Sequence, residues 1–276
     1  MDAFNAAMRA LVGLLPGPLS KWHPLWGLGA TALVTAVLAL LVYRAVSNQA
    51  AIGRAKDRIR GHLLEVRLYR DEGAAVFRAL LGMLANNAMY LLHSLLPVAF
   101  LLWPVVAILA QLNLWYGYGA PTPGDAVILK AKFADALPSN SAPGLTLPAG
   151  LVLDAPPLVI PSENEVDWRL RGQKSGRFVV EVHAGGEGAA AYRKAVTFAD
   201  STAMLSPKAT AEGAWQAFLF PGEAMLPKGG PIRLMEAVYR PATVRVFGRR
   251  MHWLIPFFVL TMIFAYALKG VFRVEL

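Results

Sequence analysis

Residues 47–73 read SNQAAIGRAKDRIRGHLLEVRLYRDEG and are among the most polar and basic of an otherwise apolar chain. From 48 to 70 there is no proline, and the glycines are Gly53 and Gly61. Ile52, Ala55, Ile59, Leu63, Val66 and Tyr69 or Arg70 recur at steps of three and four, which lays them along one face of a helix. Arg54, Arg58, Arg60 and Arg67, with Lys56, belong to the remaining surface. Ser47 or Asn48 is a suitable N-cap, and Asp71-Glu72-Gly73 has turn chemistry. A second arm follows, carrying Val76, Leu80, Met83 and Leu84 at helical spacing, and runs into the next apolar stretch without a break. The expectation is an antiparallel helical hairpin over 44–84, its first arm about 30 Å long. A mere connector needs only a few residues.

What flanks the stretch is apolar. The chain has 276 residues, 56% of them hydrophobic, and its mean hydropathy is +0.44. That balance points to a membrane protein with a soluble part. Three runs are candidate spans: 25–43, 85–115 and 251–270. The first has no charge from Leu25 to Tyr43, the second none from Leu91 to Leu114, and Lys269 ends the third, where its amine can snorkel. The basic connection between the first two spans belongs in the cytoplasm by the positive-inside rule. Lys269, Arg273 and the tail 271–276 then share that side, and residues 116–250 lie outside. Arg249 and Arg250 sit beside the third span on the wrong side for this rule, but long domains cross largely regardless of charge. The N-terminus falls outside. In residues 1–24, Phe4, Met8, Leu11 and Leu15 are helically spaced and Pro16-Gly17-Pro18 ends the run. This reads as an amphipathic helix in the interface, followed by Trp22 and Trp26 as anchors. A signal peptide is the competing reading; against it stand a short apolar core, a thin N-terminal charge and no A-x-A-like site.

From Ala120 the pattern changes. AVILKAKF, LVLDAPPLVI, EVDWRLRG, GRFVVEVHAGG and AYRKAVTF are short β-type runs separated by Pro, Gly, Ser and Asn. Val166, Trp168 and Leu170 alternate with Asp167, Arg169 and Arg171, as Phe178, Val180 and Val182 do with Val179, Glu181 and His183. Lys174-Ser175-Gly176 and Gly185-Gly186 fit hairpin turns. Further strands are expected around 214–220 and 232–247, with Trp168 and Trp215 in the core. The fold class is therefore membrane α + β, with three transmembrane helices, a cytoplasmic helical hairpin and an extracytoplasmic, immunoglobulin-like β-sandwich.

Catalytic signatures are missing. The chain has no cysteine, no P-loop, no G-x-S-x-G and no H-E-x-x-H, and its histidines are far apart at 23, 62, 93, 183 and 252. Glu163, Glu165 and Asp167 have a spacing that can meet a cation, but a solvated loop leading into a strand accounts for them as well. No catalytic residue, metal ligand or cofactor is assigned, and the chain is not read as an enzyme.

An outside N-terminus, an interfacial helix, a span, the basic hairpin with its 47–73 arm, a second span and a later third span resemble the YidC/Oxa superfamily of membrane protein insertases. The three-span form is similar to archaeal members and to subunit three of the ER membrane complex. The resemblance covers residues 1–115 and the last span. It departs from the family in residues 116–250, which stand where a three-span relative has a short loop, and in Arg44, which lies at a span end. The resemblance implies a prokaryotic inner-membrane insertase in which a polar groove, open to the cytoplasm, receives newly made membrane proteins and releases them to the lipid bilayer. Arg44, Thr35, Asn87, Ser94 and Thr261 are the residues of this chain placed to line such a groove. Arg54, Arg58, Arg60, Arg67 and Arg70 are placed to contact the ribosome or another partner. The alternative is a non-enzymatic membrane-anchored scaffold whose β-domain binds an unknown envelope partner.

Overall fold

The computed structural model describes residues 10, 13–19, 23–47, 49–135, 143–184, 191–211 and 213–274, leaving aside the side chains of 49–52, 55, 93, 94 and 214. Most of the expected interfacial helix at 1–24, including Trp22, lies outside the described residues, as do Asn48 and Gly185-Gly186. Within the N-terminal segment Pro16–Leu19 is itself one helical turn.

Four longer helices follow one another with the β-strands inserted before the last. Helix α1 is Pro24–Val46, α2 Gln49–Leu68 and α3 Gly73–Tyr116; α5, after the strands, is Leu254–Phe272. Helices α1, α3 and α5 are long and apolar enough to cross a membrane. Pro24 opens α1, where its missing N–H costs nothing, and the first charge is Arg44 in the last turn. Helix α3 has 44 residues, about 66 Å, more than twice the hydrocarbon thickness of about 30 Å. It continues through Pro97 and Pro104. The turn between α2 and α3 lies at 69–72, where the Glu72 carbonyl accepts the Val76 N–H at 3.0 Å. Gly73 thus belongs to the helix rather than the turn.

The chain divides into two compact units. One holds the chain through Thr31 together with Ala107–Phe257; the other holds Ala32–Val106 and Phe258–Leu276.

In the helical unit, Leu40, Tyr43 and Val274 are buried together against Tyr90, Leu101, Leu268 and Phe272. Helices α2 and α3 meet where a Cβ on Gly82 would lie 2.6 Å from the His62 ring, and where Lys56 Nζ stands 5.7 Å from the Tyr90 ring centre. The residue numbers of these two pairings rise on one helix as they fall on the other. His62, not Leu63, faces α3: Leu63 and Tyr69, expected on the packed face, are exposed. Gly82 is the reason, since only a residue without a side chain leaves room for the imidazole. Helix α5 ends in a Schellman arrangement, with Val274 N–H donating to Lys269 O at 3.0 Å, Arg273 N–H to Gly270 O at 3.2 Å, and Arg273 at φ 52°.

The other unit is built on two antiparallel sheets. Strands β2 (Ala126–Phe133), β4 (Leu151–Leu153), β5 (Leu158–Ile160), β6 (Glu165–Gly172), β9 (Lys208–Thr210) and β10 (Ile232–Val238) form the larger, in the order β4-β6-β2-β10-β9 with β5 also on β6. Strands β3 (Gly144–Thr146), β7 (Gly176–His183) and β8 (Ala191–Phe198) form the smaller. Tyr118–Gly119 (β1) pairs with Arg240–Pro241 (β11). Inward side chains of both sheets, among them Leu129, Trp168, Val180, Phe198 and Met235, share one buried cluster. At Gly172 an added Cβ would lie 2.6 Å from the Phe198 ring, so this glycine allows β6 to approach β8 across the core.

Two expectations are corrected. Lys174-Ser175-Gly176 does not close a hairpin: it carries the chain from β6 in one sheet to β7 in the other. Residues 214–220 are not a strand; Ala214–Leu219 is a short helix, α4, in which Trp215 and Phe218, three residues apart, stack at 5.5 Å. Trp215 is 54% exposed and outside the core.

Strand β8 is an edge, and the outward N–H groups in and just beyond its C-terminal half are occupied. Ala195 donates to Glu223 Oε1 at 3.2 Å, Thr197 to the Tyr239 hydroxyl at 3.1 Å and Ala199 to Pro121 O at 2.9 Å. An edge closed in this way offers little to an added strand.

Candidate functional site

The proposed groove residues occupy different surroundings. Thr35 is buried in α1. Arg44, in the last turn of the same helix, is exposed, as is Asn87 in α3. Thr261 is half-buried in α5. Ser94 lies in α3, its side chain outside the described residues. Two neighbouring polar groups are turned back on their own helices: the Thr31 hydroxyl donates to Gly27 O at 2.8 Å, and Asn86 Nδ2 to Gly82 O at 2.7 Å. Such bonds remove a polar side chain from use by a guest segment.

The arm formed by α2 and the first turns of α3 has a different surface. Arg54, Arg58, Arg60, Arg67 and Arg70 are all exposed. Arg60 meets Asp57 at 3.3 Å and Arg70 meets Asp71 at 3.9 Å, both in solvent, where ion pairs contribute little. Between the arginines lie exposed apolar side chains: Leu63, Leu64 and Leu68 on α2, and Phe77, Leu81 and Leu84 on α3, Leu84 at 67%. Reading the sequence for one packed face had assigned part of this set to the interior. Ile59 and Val66 of the expected face are part-buried, but His62 rather than Leu63 faces α3, and Gly82 is the residue that admits it.

Several ionisable groups of the β-sheets are matched internally. The cation that Glu163, Glu165 and Asp167 meet is supplied by lysines of the adjoining strand. Lys130 reaches Glu165 at 2.8 Å and Asp167 at 3.5 Å; Lys132 reaches Glu165 at 3.2 Å and Glu163 at 3.4 Å. Burial pushes the Glu165 carboxyl up, but hydrogen bonds from the two lysines outweigh it and hold the group below the ordinary glutamate value. Asp167 moves the other way, raised by burial. Asp154 accepts from Arg171 at 2.7 Å and lies at 2.9 Å from Arg169, and the Arg171 hydrogen bond lowers its pKa.

Among the described residues, Lys194 is the one lysine in the core. Its amine donates to Ser206 O at 2.6 Å, Glu223 Oε1 at 2.9 Å and Ala195 O at 3.3 Å. An ammonium has three donors, and all three are used. Burial pushes its pKa below the ordinary lysine value. With no donor to spare and no exposure, Lys194 clamps the 220–227 loop onto β8 and has no route to a substrate.

Comparison with protein-family models, with curated proteins and with solved structures finds no match to this chain.

Proposed function

We propose that this protein is a membrane insertase or chaperone of the YidC/Oxa type, whose charged arm receives hydrophobic segments of newly made membrane proteins at the cytoplasmic face. One observation carries the reading: α3 is far longer than a bilayer requires, and its excess, with α2, presents leucines and arginines together in the open. Exposed apolar surface rimmed by charge marks a binding surface for apolar partners. The arm is assigned to the cytoplasm because its short connection concentrates Arg and Lys. In this reading Arg44, Thr35, Asn87, Ser94 and Thr261 are the groove residues, Arg44 and Asn87 being exposed. Transfer draws on burial of the guest's apolar surface in lipid and requires no nucleotide. Basic residues of the arm also suit a salt-sensitive contact with ribosomal RNA. The β-unit is read as an extracytoplasmic, immunoglobulin-like sandwich, in keeping with a shared core between two sheets and a chain that changes sheet at 174–176.

Reconstitution tests this. Liposomes carrying the full chain are expected to insert a small single-span test substrate at least tenfold faster than empty liposomes. Replacing Leu63, Leu64, Leu81 and Leu84 by Ser should abolish most of the gain while leaving thermal unfolding unchanged. Equal rates with and without the protein would overturn the proposal.

The scaffold alternative has one observation in its favour: the β-strands and the adjoining ends of α1, α3 and α5 form a single compact unit, as an anchored binding module would. Deleting residues 120–248 separates the two. An insertase keeps activity, and a scaffold loses its partner.

A further inference from the structure

Strands β12 (Val244–Val246) and β13 (Arg249–Met251) form a small hairpin that ends just before α5 begins at Leu254. Its two-residue turn is Phe247-Gly248, with φ at 48° and 80°. Positive φ at both positions is the backbone of a type I′ turn, whose usual first residue is Asn, Asp or Gly. A phenylalanine there is a conformational outlier with no folding rationale, and its ring is fully exposed. Flanking it in the hairpin are Arg245, Arg249 and Arg250, all exposed, and no ion pair or hydrogen bond engages their side chains among the described residues. The register sets Arg245 directly opposite Arg250. Like charges facing each other across a hairpin repel unless an anion lies between them. The stretch 242–252, ATVRVFGRRMH, contains no acid to serve.

The hairpin therefore combines an open aromatic tip, an uncompensated cluster of arginines and close attachment to a helix long and apolar enough to cross a membrane. Each strand spans about 10 Å, comparable to the headgroup layer beside the hydrocarbon core. We infer that residues 244–251 are a membrane-docking finger: Phe247 enters the interface and Arg245, Arg249 and Arg250 bind the phosphates of anionic lipids. Arginine suits this role because its planar fork meets phosphate oxygens in a bidentate fashion. The assignment also accounts for the arginines that oppose the positive-inside pattern: they are lipid ligands on the β-domain side rather than topology signals. It depends on α5 crossing the bilayer and is independent of insertase activity.

The absence of native cysteine allows a clean test. Full-length F247C, labelled with an environment-sensitive fluorophore, is reconstituted in phosphatidylcholine liposomes with and without 30% phosphatidylglycerol, about a third anionic, a composition chosen to exceed the Debye-screened background. K228C, on an exposed loop of the same unit, is the reference. The label at 247 should be quenched at least threefold more by lipid-borne spin label than the label at 228, and more strongly with phosphatidylglycerol present. Arg245→Gln, Arg249→Gln and Arg250→Gln together should abolish the dependence on phosphatidylglycerol. Because these are surface positions, unfolding measured in detergent should not change. Equal quenching of both labels by aqueous iodide in both lipid mixtures would overturn the inference. So would protection at 247 that arises only on adding a native envelope extract, since the finger would then dock a protein.

Discussion

Trp168 and Leu84 are both large apolar side chains, and they meet opposite fates. Trp168 is 1% exposed in the core of the β-unit, whereas Leu84 stands in the open on the arm. The contrast extends to charge. Lys130, Lys132 and Lys194 of the β-unit each have a carboxylate within 4 Å, while the arginines of α2 and the turn after it stay in solvent with at most a weak i,i+3 or adjacent partner. The sheets of the β-unit pair these lysines with carboxylates of their own. The helical unit leaves its groups to its surroundings, which in the proposed reading are lipid for the spans and a guest chain for the arm. Stability should therefore respond to mutation in the first and function in the second.

The largest effect is expected from Trp168→Ala. Removing this side chain from a packed core costs about 3–5 kcal/mol, read as loss of the β-unit's cooperative transition in denaturant titration of the full chain in detergent. Next comes Glu223→Ala, which strands the Lys194 ammonium without its counter-charge. Breaking such a pair costs about 3 kcal/mol. The double variant Lys194→Met, Glu223→Leu should recover most of that loss. If the single and double variants are equally unstable, the clamp contributes through packing alone.

Acid sharpens the comparison further. The folded pKa of Glu165 lies below its unfolded one, so its contribution is complete above the ordinary carboxylate range of about 4 and drains away as pH falls through the folded value. Asp167 runs oppositely: its raised folded pKa favours the protonated group and detracts from stability at neutral pH. Melting of the β-unit should fall between pH 5 and pH 3, roughly the window below the unfolded value. Lys130→Met with Lys132→Met should flatten the fall, and Asp167→Asn should steepen it.

Much of this was visible in the sequence. AVILKAKF, EVDWRLRG and AYRKAVTF occupy β2, β6 and β8 to the residue, because a strand with one buried face must alternate. What failed was non-local or a matter of phase. The turn chemistry of 174–176 is legible, but which sheet the next strand joins depends on partners far along the chain. GAWQAFLF contains β-formers over too few residues to separate period two from period three. Glu165 sits on the solvent-facing phase of β6 and is nonetheless buried, since its lysine partners lie on a strand paired 35 positions away. In the candidate site, the basic residues were identifiable as exposed from charge alone. The outward leucines were not, because the deciding contact is between His62 and a glycine twenty residues on.

A smaller effect concerns a place where the β-unit behaves like the arm. Phe247 is exposed and held at positive φ, so Phe247→Gly should relieve strain and raise stability by about 1 kcal/mol in detergent. A gain there with a loss of lipid contact would mark a residue kept at some expense to the fold, as functional positions are.

The smallest expected effect is on the arm. Leu63, Leu64 and Leu84 have no interior to lose, so Leu84→Ser, or all three together, should change unfolding by less than about 0.5 kcal/mol per site, the usual range for surface positions. Differential scanning fluorimetry in detergent reads this directly. A loss above 2 kcal/mol would mean that these leucines are buried in an assembly of this chain, and the arm would join the β-unit as a region that satisfies itself. An unchanged transition, with test-substrate insertion falling tenfold, would leave binding of a guest as the reason for keeping three leucines in water.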